Sequence, residues 1–139
     1  MATLLIPEPV WATPAGWFSH AADVLEGCTD AQLVENYRRL TCASMIAANA
    51  GVHQPDLVAG RRWAEWVIGV RLGPGVTCDG KPINPGPAFA ELTRNEREVC
   101  REMGRLDGDV LHDHLRRATT IGEMSRSACL RFVDVEVGA

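Results

Sequence analysis

Residues 73–87 read GPGVTCDGKPINPGP, with four glycines and four prolines in fifteen positions. No α-helix crosses such a stretch, because each proline removes a backbone donor and each glycine raises the entropy cost of ordering. The chain therefore has to fold from two separate runs. Asp79-Gly80 could turn a small hairpin here, but the density of prolines favours a semi-rigid connector. On this reading residues 1–72 form an N-terminal helical region with an acidic arm, residues 73–90 a linker, and residues 91–139 a C-terminal unit.

Both runs carry helical spacing. A short helix is expected over about Trp17 to Glu26. Thr29-Asp-Ala-Gln32 then supplies a capping box, in which the Thr29 hydroxyl serves the backbone N–H of Gln32 and the Gln32 side chain reaches back. The helix it opens runs to about Ala50, with Leu33, Tyr37, Leu40, Ser44 and Ala47 on one stripe and Gly51 placed to end it in a left-handed conformation. Pro55 is a favoured first-turn residue for the next helix, which must stop before Gly73-Pro74 and whose apolar face is Ala59, Trp63, Trp66, Val67 and Val70. Trp63 and Trp66, one turn apart, imply a large buried surface. It is either core packed on the Leu33/Leu40 stripe or the face of a homodimer or other partner, since aromatic residues enrich interface centres.

The last third reads as three short helices. Thr93-Arg94-Asn95-Glu96 is a second capping box, opening a helix to about Arg105. On its wheel Arg94, Arg97, Arg101 and Arg105 share one face, with Leu92, Val99, Cys100 and Met103 opposite. That stripe is a candidate phosphate-contacting surface, unless Glu98 and Glu102 neutralise it at salt-bridge spacing. After a turn at Leu106-Asp107-Gly108, residues 109–118 form a helix with Val110, Leu111, His114, Leu115 and Ala118 inward and His112, Asp113, Arg116 and Arg117 outward. Ser125 caps a final helix from Arg126 to about Val133, in which Ala128, Cys129 and Phe132 pack and Arg126, Ser127 and Arg131 stay accessible. The closing Val-Asp-Val-Glu-Val alternates like a frayed edge strand. The expected fold is all-α: a helix pair or bundle joined by the Gly/Pro-rich linker to a helix-turn-helix-like unit.

Charge separates the two ends. Residues 1–36 hold five acids (Glu8, Asp23, Glu26, Asp30, Glu35) and no Lys or Arg, so all fourteen basic residues come later. Thirteen of these are Arg, which suits planar bidentate partners such as phosphate or carboxylate but equally reflects a GC-rich coding sequence. The net charge is −4, which weakens non-specific attraction to polyanions. The five cysteines are odd in number, scattered and without a CxxC pair, so neither a disulfide framework nor a zinc site is indicated. His112 and His114 fall on different sides of their helix and do not form a metal pair. The opening MATLLIPEPVWATPAGW lacks a basic leader, and no run approaches the length of a membrane span. The expectation is a cytoplasmic protein without membrane contact. No nucleotide loop, GxSxG, HExxH or similar motif is present, so neither catalysis nor a cofactor is expected.

The succession LEGCTDAQLVENYRRLTCASMIAANAG, LVAGRRWAEWVIGVRLG and, past the linker, LTRNEREVCREMGRLDGDVLHDHLRRATTIGEMSRSACLRF resembles helical segments of bacterial and phage proteins related to ParB-like partition factors and to adenine-methyltransferase-associated accessory regions. The resemblance spans about residues 25–132. It implies a helical, nucleic-acid-associated role carried by Ser125, Arg126, Ser127 and Arg131. Two functional expectations follow. One is a non-enzymatic DNA-binding accessory or regulatory protein of phage or mobile-element origin, with Arg94, Arg97, Arg101 and Arg105 on phosphates and Arg126, Ser127 and Arg131 at a groove. The other is an acidic protein-binding module, such as a phage-encoded inhibitor or modulator of a host or defence protein, using Trp63, Trp66 and acidic surfaces.

Overall fold

A computed structural model describes residues 4, 6 and 16–131. The described chain is all-helical: α1 (Trp17–Glu26), α2 (Asp30–Asn49), α3 (Pro55–Leu72), α4 (Arg94–Gly104) and α5 (Gly108–Arg117), with 3-10 turns at Phe89–Glu91 and Gly122–Met124. The chain is helical again over residues 126–131. The closing Val-Asp-Val-Glu-Val, Phe132, the end of the last helix and Glu8 of the acidic arm lie outside the described residues.

Local chemistry sets the helix ends. Thr29 Oγ1 accepts from Gln32 N at 3.2 Å while Thr29 N donates to Gln32 Oε1 at 3.0 Å, so the first capping box forms as expected. Two carbonyls left over at the far end of α2 are satisfied by Gly51, at φ +70°, and Val52, whose N–H groups reach Ala48 O and Ala47 O. The second box repeats the first, with Thr93 Oγ1 accepting from Glu96 N at 3.1 Å and Thr93 N donating to Glu96 Oε1 at 2.9 Å. Asp107 caps α5 through Val110 N at 3.0 Å, which starts that helix at Gly108 rather than at Asp109. Ser125 Oγ accepts from Ala128 N at 3.1 Å and caps the last helical run.

The centre of the molecule is α3. Helices α1, α2, α4 and α5 and the Gly122–Met124 turn all pack on it, and eleven of its eighteen residues are buried. A helix covered on several sides needs no single apolar stripe. The face expected from spacing is accordingly incomplete: Val70 is 50% exposed, while Leu57, Ile68 and Leu72, outside that face, are buried. On α2, by contrast, Leu33, Tyr37, Leu40, Ser44 and Ala47 are all buried, because only one side of that helix meets α3.

Helices α3 and α4 touch backbone to backbone where Gly69 meets Gly104. A Cβ on Gly69 would overlap the carbonyl of Cys100, and one on Gly104 would stand 2.5 Å from Gly69 C. That contact spans the Gly/Pro-rich segment, and one apolar cluster runs from Leu4 to Cys129 on both sides of it. Arg38 of α2 adds a further tie, donating to Glu91 O at 3.0 Å. Residues 73–87 thus mark a reversal of chain direction within one core. They are also folded, not a connector: Val76 and Pro82 form an isolated antiparallel bridge, and Thr77 N donates to Lys81 O at 2.8 Å. Gly80, at φ +82°, donates to Thr77 O and closes the turn. The hairpin forms because Asp79-Gly80 supplies the left-handed residue a tight turn requires, and Pro82 is tolerated because the flanking bonds, Thr77 N to Lys81 O and Ile83 N to Gly75 O, are made by its neighbours. Helices α4 and α5 and residues 126–131 each follow in the expected order, but α4 and α5 pack chiefly on α3.

Candidate functional site

The four-arginine stripe of α4 is divided by what folds over it. Arg94 and Arg105, at its ends, are exposed. Arg97 Nη1 donates instead to the carbonyls of Leu92 and Phe89, stitching α4 to the preceding 3-10 turn. Arg101 Nη1 donates to Glu98 Oε1 at 2.9 Å, with only 11% of its side chain exposed, and its guanidinium lies under Gly75 of the hairpin. The hairpin and the 3-10 turn cover the middle of the expected stripe, and its last member, Arg105, is the residue that caps the end of α4. The expected continuous phosphate-gripping surface is reduced to its two ends.

The final helical run is divided in the same way. Ser127 and Arg131 are exposed, and Ser125 is spent as a cap. Arg126, expected to be accessible, turns inward: its Nε and Nη2 donate to Glu65 Oε2 at 2.9 and 2.6 Å. Helical periodicity places Arg126 on the polar side of a short helix but is silent on a carboxylate supplied by α3, sixty-one residues earlier.

Glu65 is the organising residue of this site. Its side chain is 0% exposed, because α3 is covered by its neighbours. Arg62 Nη1 donates to both carboxylate oxygens at 2.8 and 2.9 Å, Tyr37 OH donates to Oε2 at 3.2 Å, and Arg61 Nε stands 3.9 Å from the same oxygen. Arg62 Nε also donates to Met124 O at 2.9 Å, so the cluster ties α2, α3, the Gly122–Met124 turn and residues 126–131 together. Burial raises the Tyr37 phenol to about 12, and the negative charge of Glu65 adds to the shift. The neighbouring Cys100 thiol is pushed up to about 12 by the same two causes in the same order, and burial takes Cys129 to about 11. These groups are neutral near pH 7 and unsuited to act as nucleophiles, which for a cysteine requires the thiolate. Burial works against the charge on Arg126, but hydrogen bonds to Glu65 and its charge outweigh that, so the guanidinium holds its proton more firmly than usual.

Sequence reasoning assigned no role to Arg61, Arg62 or Glu65. The signal was the phrase RRWAEW, with Arg61 and Arg62 just before Trp63 and Glu65 between Trp63 and Trp66, in a helix with no free polar side to receive them.

Trp63 is 3% exposed and stacks on Trp66 with ring centroids 4.6 Å apart. Trp66 Nε1 donates to Leu106 O at 3.0 Å. The rings join α3 to the start of α5 as core. His112, expected to point outward, sits edge-on to Trp63 at 5.2 Å and 5.1 Å from the Phe18 ring; α1 and α3 supply the aromatic surface that draws it in. His114, expected inward, is half-buried, with Nε2 at 2.8 Å from Glu123 O.

The exposed sides of α1 and α2 carry acids early and apolar residues later, with Arg38 between them. Asp23, Glu26, Asp30 and Glu35 are exposed on α1 and α2, and among the described residues Asp30 alone of these has an ion-pair partner, Arg71 at 3.0 Å. Farther along the outer side of α2, Cys42 is exposed next to Met45 at 57% and Ile46 at 52% exposure. No group of three or more His, Cys, Asp or Glu among the described residues could hold a metal ion, and no described helix is long and apolar enough to cross a membrane. The chain matches no protein-family profile, no curated protein and no solved structure.

Proposed function

We propose that this chain is a non-enzymatic helical module that binds a partner protein through the outer side of α2. The observation that carries this reading is the exposure of Met45 and Ile46 on consecutive positions, facing away from α3. Large apolar side chains grouped at a surface mark interaction sites when polar residues rim them, and methionine adapts readily to a partner's shape. Glu35, Arg38 and Cys42 continue the same exposed side of α2. The patch is rimmed by charges of both signs, which suits a partner surface that combines apolar side chains with polar or charged ones. A modulator of another protein, of the kind mobile elements encode, fits that surface.

The competing reading is DNA binding. It retains Arg94, Arg105, Ser127 and Arg131, which are exposed, and gives up the grip of Arg97, Arg101 and Arg126. It predicts a gel shift that is strongest at about 50 mM salt and weakens steeply as salt rises. The protein-binding reading predicts capture of a defined protein that Met45→Asp combined with Ile46→Asp abolishes while circular dichroism stays unchanged. A salt-sensitive shift that survives this double substitution, with no protein captured, overturns our reading in favour of DNA.

A further inference from the structure

The cluster around Glu65 contains more donors than its carboxylate can satisfy. Oε2 already accepts from Arg62 Nη1, Arg126 Nε, Arg126 Nη2 and Tyr37 OH, and Oε1 accepts from Arg62 Nη1. A carboxylate offers about four lone-pair positions in all, two on each oxygen, so the oxygen nearest Arg61 has no capacity left. Arg61 Nε is buried, makes no hydrogen bond and stands 3.9 Å from that saturated atom. Three guanidiniums thus surround one carboxylate. The Tyr37 phenol and the Cys100 and Cys129 thiols, all held neutral, supply no further negative charge. Net positive charge withdrawn from water is costly unless an anion with suitable acceptors accompanies it. The cluster is not sealed, since 22% of the Arg61 side chain and 35% of the Arg126 side chain reach the surface.

The geometry points to an oxyanion site at Arg61 and Arg126, in which a small phosphate or phosphate monoester bridges two of the three guanidiniums that converge on Glu65 Oε2. Arginine forks match phosphate oxygens in a bidentate way, and a phosphate carrying close to two negative charges balances the two guanidiniums that Glu65 leaves uncompensated. Arg62, the most deeply buried of the three, remains with Glu65 and Met124 O as the floor of the site. Arg61 is the residue that gains most, because the ligand supplies the acceptor its Nε lacks. The site lies on α3 and residues 126–131, away from the outer side of α2, so it does not depend on the protein-binding reading.

The test is a titration of the full chain with inorganic phosphate, following the arginine side-chain Nε–Hε resonances by NMR, with sodium chloride at matched ionic strength as control. Saturable shifts of Arg61 and Arg126, absent with chloride, are expected. Arg61→Gln should weaken phosphate affinity by about tenfold or more, since it removes one charge-assisted fork, and Arg61→Lys should recover only part of it. Arg94→Gln, distant in sequence and exposed, should leave affinity unchanged. Shifts that match those in chloride, or phosphate binding that Arg61→Gln leaves intact, overturn the site. If free phosphate has no effect but a DNA duplex moves the same resonances, the small-ligand proposal is also overturned, and the cluster belongs to a nucleic-acid contact. Should Arg61→Gln fail to fold, Arg61→Lys in the same titration decides: affinity equal to wild type removes the argument from the fork.

Discussion

Glu65 shows how much one side chain decides here. Breaking a buried ion pair by removing one partner leaves the other charge uncompensated, typically at a cost of about 3 to 5 kcal/mol. Glu65→Ala would strand Arg62 in this way and should destabilise the chain by about that amount in urea unfolding. Arg126→Ala should also lower the urea midpoint, because its guanidinium holds Glu65 Oε2; an exposed arginine on a capped helix would leave the midpoint unchanged. Tyr37, the only tyrosine in the chain, reports on the same cluster. Its phenolate absorbance should appear with a midpoint near 12 instead of the ordinary 10. Because the folded state keeps that proton longer than the unfolded chain does, the linked stability is complete below pH 10 and is lost as pH rises through about 12. A phenolate midpoint at the ordinary value would show that Tyr37 does not sit buried against Glu65.

At the scale of elements, the crossing of α3 and α4 is the most demanding contact. Overpacking a tight core contact typically costs about 1 to 3 kcal/mol, and more where backbone has to move. Gly69→Ala meets the carbonyl of Cys100 and should reach or exceed the top of that range, even though alanine favours helix over glycine. A gain in melting temperature for Gly69→Ala would show that the two helices do not approach this closely. The capping boxes are a milder case. Thr93→Ala should cost about 1 kcal/mol and Thr29→Ala a similar amount, both by loss of an acceptor for a backbone N–H and not of packing. Caps are written in four consecutive residues, which is why both were legible in the sequence. The crossing was not, because Gly69 and Gly104 are ordinary small residues until their helices meet.

For the whole molecule, continuity of the core across residues 73–87 has a thermodynamic consequence. All four tryptophans precede that segment, so their fluorescence reports the first part of the chain while far-ultraviolet circular dichroism reports every helix. A single core should give coincident transitions by the two probes. Two separable domains joined by a linker would give a fluorescence transition distinct from the helical one, and that result would contradict the packing of α4 on α3.

By itself the sequence determined what is local: the helical class, both capping boxes, the end of α2 at Gly51, the start of α3 at Pro55 and the interruption after Leu72. These depend on backbone donors and acceptors a few residues apart, and on φ values that only some residues adopt readily. The buried stripe of α2 was legible for a related reason, since a helix covered on one side keeps its period. Only the tertiary structure decided which arginines reach solvent, that His112 packs between aromatic rings, and that the Gly/Pro-rich segment reverses the chain within one core. Each of these depends on partners brought from distant positions to α3, a helix covered so extensively that its own period no longer says which side is inside. The arginine cluster follows from that crowding: Glu65 lies where every direction is protein, and arginines from two parts of the chain converge on it.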